Sequence, residues 1–251
     1  MTRAAGFDAS ARRRAPELMD DFWLDRALHE HALDALGRVN RVSLTAARAW
    51  REVERIRRTG GEPVRVLDVA CGGGDVLIDI ARRARRRAVA VELVGCDVSP
   101  LALDRARARA RRKGGDSASP GPAVVRFEQR DVLDAPLPRG HDLVLCSLFL
   151  HHLSGDEAVG LLRAMAESGA RVLLVQDLRR TRLGYVMAWL GLHLLTRSVV
   201  ARRDGLVSVQ AAFTLEEARA LAREAGLAGA DVRPCWPQRF ALRWTRAEVR
   251  S

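Results

Sequence analysis

The sequence predicts an α/β domain built on a doubly wound sheet of seven strands, with an N-terminal helical cap and a C-terminal antiparallel hairpin. Three observations predict this fold. Residues 66–75, Val-Leu-Asp-Val-Ala-Cys-Gly-Gly-Gly-Asp, are typical of a short strand that turns through glycines into a helix. From residue 64 onward, short apolar runs alternate with helical patterns, as in parallel βα units. Two short apolar runs lie close together at 230–233 and 240–244, and their closeness predicts the hairpin at the sheet edge.

Each element follows from its own pattern, because β-branched runs favour strands and apolar residues at three- and four-residue spacing favour helices. The strands predicted before the hairpin span residues 64–69, 91–96, 124–129, 142–147 and 171–176. The predicted helices span residues 75–85, 100–112, 155–167, 183–196 and 214–225. This order of elements is Rossmann-like, and ligands of such sheets bind at the carboxyl ends of the strands.

The pattern divides the 251-residue chain into three parts. Residues 1–15 are rich in Arg and Ala without periodicity, so we expect a disordered tail. Residues 16–60 contain two helical runs separated by a break near residues 37–43, which predicts a helical cap or lid. Residues 61–251 form the predicted cofactor-binding domain, interrupted by an apolar insertion at about 182–205.

Composition limits the cellular setting. No apolar run approaches the roughly 18 residues that a membrane span needs, and the N-terminus carries no apolar signal segment. The four cysteines lie far apart, which fits neither a metal cluster nor a disulfide framework. We therefore expect a cytoplasmic protein with reduced thiols and no bound metal.

The formal charge of +11 raises the possibility of a nucleic-acid partner. Of the 42 basic residues only Lys113 is a lysine, and much of the arginine lies on helix faces interleaved with alanine. This pattern favours solvated helix faces over a specific nucleic-acid surface. An arginine-rich RNA-binding protein nevertheless stays open as an alternative.

The glycine turn identifies the class of cofactor. Gly72 and Gly74 fit a dinucleotide-binding turn, but Leu77 occupies the position where that fingerprint requires a third small residue. Asp68 also ends the strand directly before the turn. A carboxylate there disfavours a pyrophosphate and favours an ammonium or sulfonium group.

Residues 66–75 resemble motif I of the class I S-adenosylmethionine (SAM)-dependent methyltransferases, with Ala70 at the first of the usual glycine positions. The resemblance implies SAM as cofactor, S-adenosylhomocysteine (SAH) as product and no metal. It also implies that acidic residues at successive strand ends hold the cofactor. The cofactor-binding residues expected are Asp68, Ala70, Gly72, Gly74 and Asp75 at the turn, Asp97 at the ribose with Val98 next to it, Asp131 and Val132 at the adenine, and Ser147 and Leu148 at the methionine end.

Catalysis of methyl transfer requires alignment, desolvation and removal of one proton. His151 and His152 directly follow the fourth strand, and an imidazole titrates near neutral pH, so either is a candidate base. Asp177, at the end of the fifth strand, could orient or charge-pair one of the two rings. The alternatives are helix packing for a histidine, and an ion pair of Asp177 with Arg179 or Arg180.

The apolar insertion predicts the cover of the acceptor pocket. It carries Tyr185, Met187 and Trp189 but no acid near them, which favours an apolar aromatic small molecule as the substrate. The same segment could instead form a homodimer contact, or touch a membrane surface peripherally without spanning it.

Three further segments, at residues 17–21, 38–43 and 211–214, resemble a bacterial group of methyltransferases found with type III polyketide synthases. That resemblance implies natural-product biosynthesis on a phenolic, quinol or polyketide-type acceptor. We expect methyl transfer to a hydroxyl with a histidine base, and C-methylation of an activated phenol or quinone ring as the alternative. The Asn/Asp-Pro-Pro-Tyr motif of DNA amino-methylating enzymes is absent after the fourth strand, where the sequence reads Ser-Leu-Phe-Leu at 147–150.

Overall fold

The structure, a computed structural model, describes residues 7–18, 25, 27, 28, 31, 32, 35, 43–60, 62–112 and 121–247. Most of the first helical run of the predicted cap lies outside the described residues. So do residues 37–42 of the break that follows it, and residues 1–6 of the predicted tail.

Seven strands form one sheet in the order β3-β2-β1-β4-β5-β7-β6. The strands are β1 (Val64–Val69), β2 (Val91–Asp97), β3 (Ala123–Gln129), β4 (Leu143–Ser147), β5 (Val172–Leu178), β6 (Asp231–Cys235) and β7 (Arg239–Thr245). All neighbours pair in parallel except β7, which runs antiparallel to both β5 and β6. The predicted doubly wound sheet with a terminal hairpin is therefore confirmed.

Seven helices accompany the sheet in the described part of the chain. They are α1 (Thr45–Gly60), α2 (Asp75–Arg87), α3 (Pro100–Arg112), α4 (Gly155–Glu167), α5 (Arg182–Leu195), α6 (Val199–Ala211) and α7 (Leu215–Glu224). The insertion contains two helices where the periodicity predicts one. The division falls before α6 because the side chain of Ser198 accepts a hydrogen bond from the backbone N–H of Ala201 and so caps a new helix.

The two faces of the sheet bury separate apolar layers. Trp50 of α1 and Leu77 of α2 pack on one face, which we call the α1 face. Leu161 of α4 and Leu221 of α7 pack on the other, the α4 face. Because successive side chains of a strand point to opposite faces, neighbouring residues at a strand end serve different sites.

Residues 7–18, which we call the N-terminal strap, lie across α6 and the end of β4. The backbone N–H of Arg13 donates to the carbonyl of Gln210 at 3.1 Å, and that of Leu18 donates to Asp204 Oδ1 at 2.9 Å. Arginines of this segment also donate to backbone carbonyls elsewhere in the chain, so residues 7–15 make tertiary contacts in this structure.

Candidate active site

The glycine turn lies open above the ends of β1 and β2. Ala70 and Gly72 have positive φ angles of 54° and 52°, and the backbone N–H of Cys71 donates to the carbonyl of Cys96 at 2.9 Å. A Cβ on Gly72 would meet no atom within 4 Å, so a ligand can approach the backbone there. Gly74, by contrast, leaves no room for a side chain: its φ is 71°, and an added Cβ would lie 2.8 Å from the ring of Phe127.

Asp68 is buried beneath this turn, with 2% of its surface exposed. Burial and then the nearby carboxylate of Asp97 raise the pKa of Asp68 to about 8. Its Oδ1 atom has no hydrogen-bond partner among the residues that the structure describes. A buried carboxyl group with an unused oxygen is suited to receive an ammonium or sulfonium cation.

Asp97 ends β2 and closes the turn. Its Oδ2 accepts the backbone N–H of Gly72 at 2.7 Å, and its Oδ1 accepts that of Ser99 at 2.9 Å. Burial raises the pKa of Asp97, although these backbone donors oppose the rise. Each carboxylate oxygen can accept a second hydrogen bond, so ribose hydroxyls could still bind.

The expected cofactor-binding residues that follow Asp97 are arranged unevenly. Val98 is 55% exposed beside the turn, where an apolar surface can pack on a planar ring. Asp131 is exposed, and its Oδ1 accepts the backbone N–H of Leu133 at 2.9 Å, whereas Val132 is buried. Asp131 therefore caps a turn in this structure.

Asp75 starts α2, but its partner is a neighbouring helix. Arg109 of α3 forms an ion pair with Asp75 Oδ1 and also donates to the carbonyl of Gly73 at 3.3 Å. Arg109 thus fixes the glycine turn against α3. Asp75 has a structural partner that its sequence position did not indicate.

His151 lies in a short 3-10 helix, Leu150–His152, directly after β4. Leu148 precedes it with a φ of 57°, and the Leu148 N–H donates to the carbonyl of Gln176 at 2.9 Å. The reversal turns the His151 ring onto the α4 face. There its Nδ1 donates to Asp177 Oδ1 at 2.6 Å, and its backbone N–H donates to Asp177 Oδ2 at 3.0 Å.

Asp177 is therefore placed against His151. The alternative ion pair of Asp177 with an arginine is not formed by Arg180, whose guanidinium pairs with Glu217 at 2.6 and 2.9 Å.

Glu17 of the strap completes the cluster, and the sequence analysis did not assign it a role. Its Oε1 lies 3.7 Å from His151 Nε2, and its Oε2 lies 3.9 Å from His152 Nε2. The hydroxyl of Ser208 in α6 donates to Glu17 Oε1, which fixes the carboxylate over the two rings. The centroids of the His151 and His152 rings are 4.3 Å apart.

The two carboxylates decide the charge of His151. Burial alone lowers the pKa of this imidazole, but Asp177 and then Glu17 outweigh burial and raise the pKa to about 9. Burial also opposes ionisation of Asp177, yet the charge and hydrogen bond of His151 hold the pKa of Asp177 below its ordinary value. At neutral pH the pair is an imidazolium and a carboxylate.

Among the described residues, Glu17, His151 and His152 could also bind a metal ion. Each offers one ligand atom, and these three atoms lie within 4.8 Å of one another. Two imidazoles and a carboxylate could coordinate a divalent cation. A metal would have to displace the proton that the two carboxylates stabilise on His151.

Two arginines hold the strap over this cluster. Arg12 donates to the carbonyls of His151 at 2.9 Å and Leu153 at 2.6 Å, and its guanidinium lies 3.7 Å from the centroid of the Phe213 ring. Arg14 donates to the carbonyl of His152 at 2.6 Å. The strap thus depends on the same short helix that positions the two histidines.

The predicted pocket residues lie on α5. Tyr185 stacks on Phe7 of the strap with ring centroids 4.6 Å apart, and Met187 is half-buried. Trp189 is 48% exposed and packs on His193. In the described part of the chain, no helix is long and apolar enough to cross a membrane.

Comparison with known proteins finds similar sequences and similar folds. Residues 66–169 match a family described as "Methyltransferase domain". A demethylmenaquinone methyltransferase of Deinococcus radiodurans is 36% identical over 145 residues, which cover 56% of this chain. The match covers 54% of that protein, so the chain spans about half the length of this curated relative.

Two solved structures are similar in fold. The magnesium protoporphyrin IX methyltransferase of Synechocystis PCC 6803, with bound SAH, is 16% identical with a TM-score of 0.55, and the match covers 90% of each chain. An O-methyltransferase family 2 protein of Planctomyces limnophilus, in complex with apigenin, is 19% identical with a TM-score of 0.60. That match covers 90% of this chain and 63% of the other. Residues 66–169 therefore resemble a methyltransferase domain, and the chain has the fold of the class I SAM-dependent methyltransferases, as its motifs predict.

Proposed function

We propose that the protein transfers a methyl group from SAM to a hydroxylated aromatic small molecule, a phenol, quinol or polyketide-type ring. The observation that carries this proposal is the cluster of Glu17, His151, His152 and Asp177 after β4, beside the expected methionine end of the cofactor. Phenols need a proton acceptor before they become good nucleophiles, and this cluster offers one.

The cofactor lies over the open glycine turn in this proposal. Asp97 accepts the ribose hydroxyls, Val98 packs on the adenine, and Asp68 faces the positively charged methionine end. Asp131, Val132 and Leu148 complete the adenine and methionine contacts. These roles are supported by the open space above Gly72, by the exposed apolar surface of Val98 and by the unused oxygen of Asp68.

The two histidines take different parts. His151 is held as an imidazolium by Asp177, so its Nε2–H donates to the phenolate oxygen and stabilises the negative charge. His152, one quarter exposed and facing Glu17, receives the phenolic proton. The oxygen then attacks the methyl carbon, the carbon–sulfur bond breaks, and its electron pair stays on sulfur to give SAH.

Methylation on oxygen is the first candidate, and C-methylation of the ring is the second. Deprotonation of a quinol hydroxyl also makes the ring carbon nucleophilic, so the same cluster would serve both reactions. The Deinococcus relative is named for demethylmenaquinone, which supports the second candidate. The likeness to polyketide-associated enzymes supports the first candidate, methylation on oxygen, with a resorcinol-type acceptor.

The acceptor pocket is proposed to lie between the strap, α5 and α6, as part of a cap formed with residues 16–60. The stack of Phe7 on Tyr185 gives this cover an aromatic surface. Leu183, Val186 and Leu190 of α5 are exposed, so the same helix also presents an apolar face that could contact a second copy.

Incubation with methyl-labelled SAM and a panel of alkylresorcinols, demethylmenaquinol and total RNA tests the proposal. We expect label in a hydroxylated aromatic compound, and carbon-13 NMR of the product then separates an O-methyl from a C-methyl group. Label in RNA alone would overturn the proposal.

A further inference from the structure

Four neighbouring strands end in polar side chains that share the α1 face of the sheet. Asp68 ends β1, Ser147 ends β4, Gln176 lies near the end of β5, and Arg239 begins β7. Ser147 pairs directly with Gln176, and Arg239 pairs with Leu178, two residues beyond Gln176 on the same face. Since neighbouring strands are about 4.8 Å apart, this row, which we call the polar row, spans on the order of 14 Å.

Each member of the polar row has one buried polar atom without a hydrogen-bond partner in the described part of the chain. These atoms are Asp68 Oδ1, Ser147 Oγ, Gln176 Oε1 and Arg239 Nη2. A buried polar atom that stays unpaired is costly, so native proteins rarely keep one without a function. Four such atoms in a single row indicate a polar ligand that the row is built to receive.

Arg239 is the unusual member, because it is a guanidinium with only 1% of its surface exposed. Its Nη1 donates to the hydroxyl of Thr45 at 2.8 Å, and the carbonyl of Thr45 accepts Gln176 Nε2 at 3.2 Å. Thr45 at the start of α1 thus holds both side chains in place.

Arg239 has no acidic partner within 4.0 Å among the described residues, whereas the buried Arg180 pairs with Glu217 and Arg243 pairs with Glu52. Burial, opposed by Asp177 and assisted by repulsion from Arg48, lowers the pKa of Arg239 to about 10. A desolvated cation of this kind is stabilised by an anion that can bond its remaining N–H groups.

We propose that Arg239, held by Thr45 and Gln176, forms a buried carboxylate-binding site at the β7 end of the polar row. The oxygens of Gln176 and Ser147, on the two strands beside β7, would receive an ammonium group, and Asp68 lies one strand further along the row, at the glycine turn. This order of charges matches an α-amino acid, whose carboxylate faces β7 and whose ammonium faces β1. The inference rests on the proposed function, in which the methionine part of SAM supplies these groups.

A carboxylate could also come from an acidic acceptor, such as a resorcinol that carries a carboxyl group. The test therefore uses two pairs of ligands that differ by one carboxylate. The first pair is SAH and decarboxylated SAH, and the second is a resorcinol with and without a carboxyl group. Calorimetry measures the dissociation constants for the wild type and for Arg239→Met, with the resorcinols titrated onto the SAH complex.

We expect Arg239→Met to weaken the binding of SAH about 10-fold or more and to change the affinity for decarboxylated SAH by less than about 2-fold, because only SAH carries the carboxylate. A loss confined to the carboxylated resorcinol would assign the same site to the acceptor. Equal effects on both members of both pairs would overturn the carboxylate site. Arg243→Met is the matched control, since it removes an arginine from the same face of β7 and should leave all affinities unchanged.

The wild type alone also tests the site if Arg239→Met fails to fold. The wild type should then bind decarboxylated SAH about 10-fold or more weakly than SAH. Equal affinity for SAH and its decarboxylated form, together with equal affinity for the two resorcinols, would overturn the site. Failure of the proposed function is distinguishable, because it appears as an absence of SAH binding or of methyl transfer by the wild type.

Discussion

Asp177→Asn should remove most of the charge of His151 and with it a pH-dependent part of the stability. The wild-type pKa of His151 is about 9 against an ordinary value of 6.5, and this shift corresponds to about 3 kcal/mol of unfolding free energy. Because the folded pKa lies above the unfolded one, that stabilisation is complete below about pH 6.5 and is lost as the pH rises through about 9. An amide at residue 177 cannot hold the imidazolium, since burial then lowers the pKa of His151 with only Glu17 opposing it.

The assay is urea unfolding of the wild type and Asp177→Asn at several pH values between 6 and 10. Asp68, whose raised pKa of about 8 falls in this pH range, titrates in both proteins. The quantity to follow is therefore the difference in unfolding free energy between the wild type and Asp177→Asn. We expect that difference to shrink by about 2 to 3 kcal/mol between pH 6 and 10.

Glu217→Gln is the control for this assay, because it breaks the ion pair with the buried Arg180 without touching a histidine. Its destabilisation should stay constant over the same range. A difference between the wild type and Asp177→Asn that does not change with pH would refute the assignment of His151 as an imidazolium.

Three further substitutions test other parts of the site. Gly74→Ala should destabilise the fold by about 2 to 3 kcal/mol in urea unfolding, because the new Cβ would clash with the ring of Phe127 and the residue has a positive φ. An unchanged unfolding free energy would contradict the turn geometry. Asp97→Ala should weaken SAH binding about 100-fold in calorimetry, since it removes the carboxylate that we propose accepts the ribose hydroxyls, and retained affinity would remove Asp97 from the cofactor site. Glu17→Gln should lower kcat about 10-fold or more and move the upper limb of the pH–rate profile to lower pH, because the His151 imidazolium loses one of its two carboxylates. A pH–rate profile that does not move would exclude Glu17 from the cluster.

The sheet could be predicted from the sequence because its signals are local. The glycine turn, the alternating strands and helices, and the two closely spaced terminal strands specify the topology, and the observed strand bounds differ from the prediction by only a few residues. The division of the insertion into α5 and α6 depends on one capping residue, Ser198, within an apolar segment, so helical periodicity alone did not reveal it.

The expected cofactor residues lie at strand ends for the same local reason, and the structure adds their partners. The pairing of Asp75 with Arg109 joins two helices, and no spacing rule connects them. Glu17 meets His151, and Arg239 meets Thr45, only in the folded structure, because each pair is far apart in the sequence. The contacts of residues 7–15 could not be predicted, because they are arginine hydrogen bonds to distant backbone carbonyls.

The role of His152 as proton acceptor is the central chemical claim, and the single-turnover rate of methyl transfer tests it most directly. The rate is compared between the wild type and His152→Ala with a phenolic acceptor and with its nitro-substituted analogue, which is already ionised at neutral pH. We expect His152→Ala to lower the rate on the phenol about 100-fold and on the nitrophenol by less than about 5-fold, because the ionised acceptor needs no base. Equal losses on the two acceptors, or no loss on either, would contradict the account.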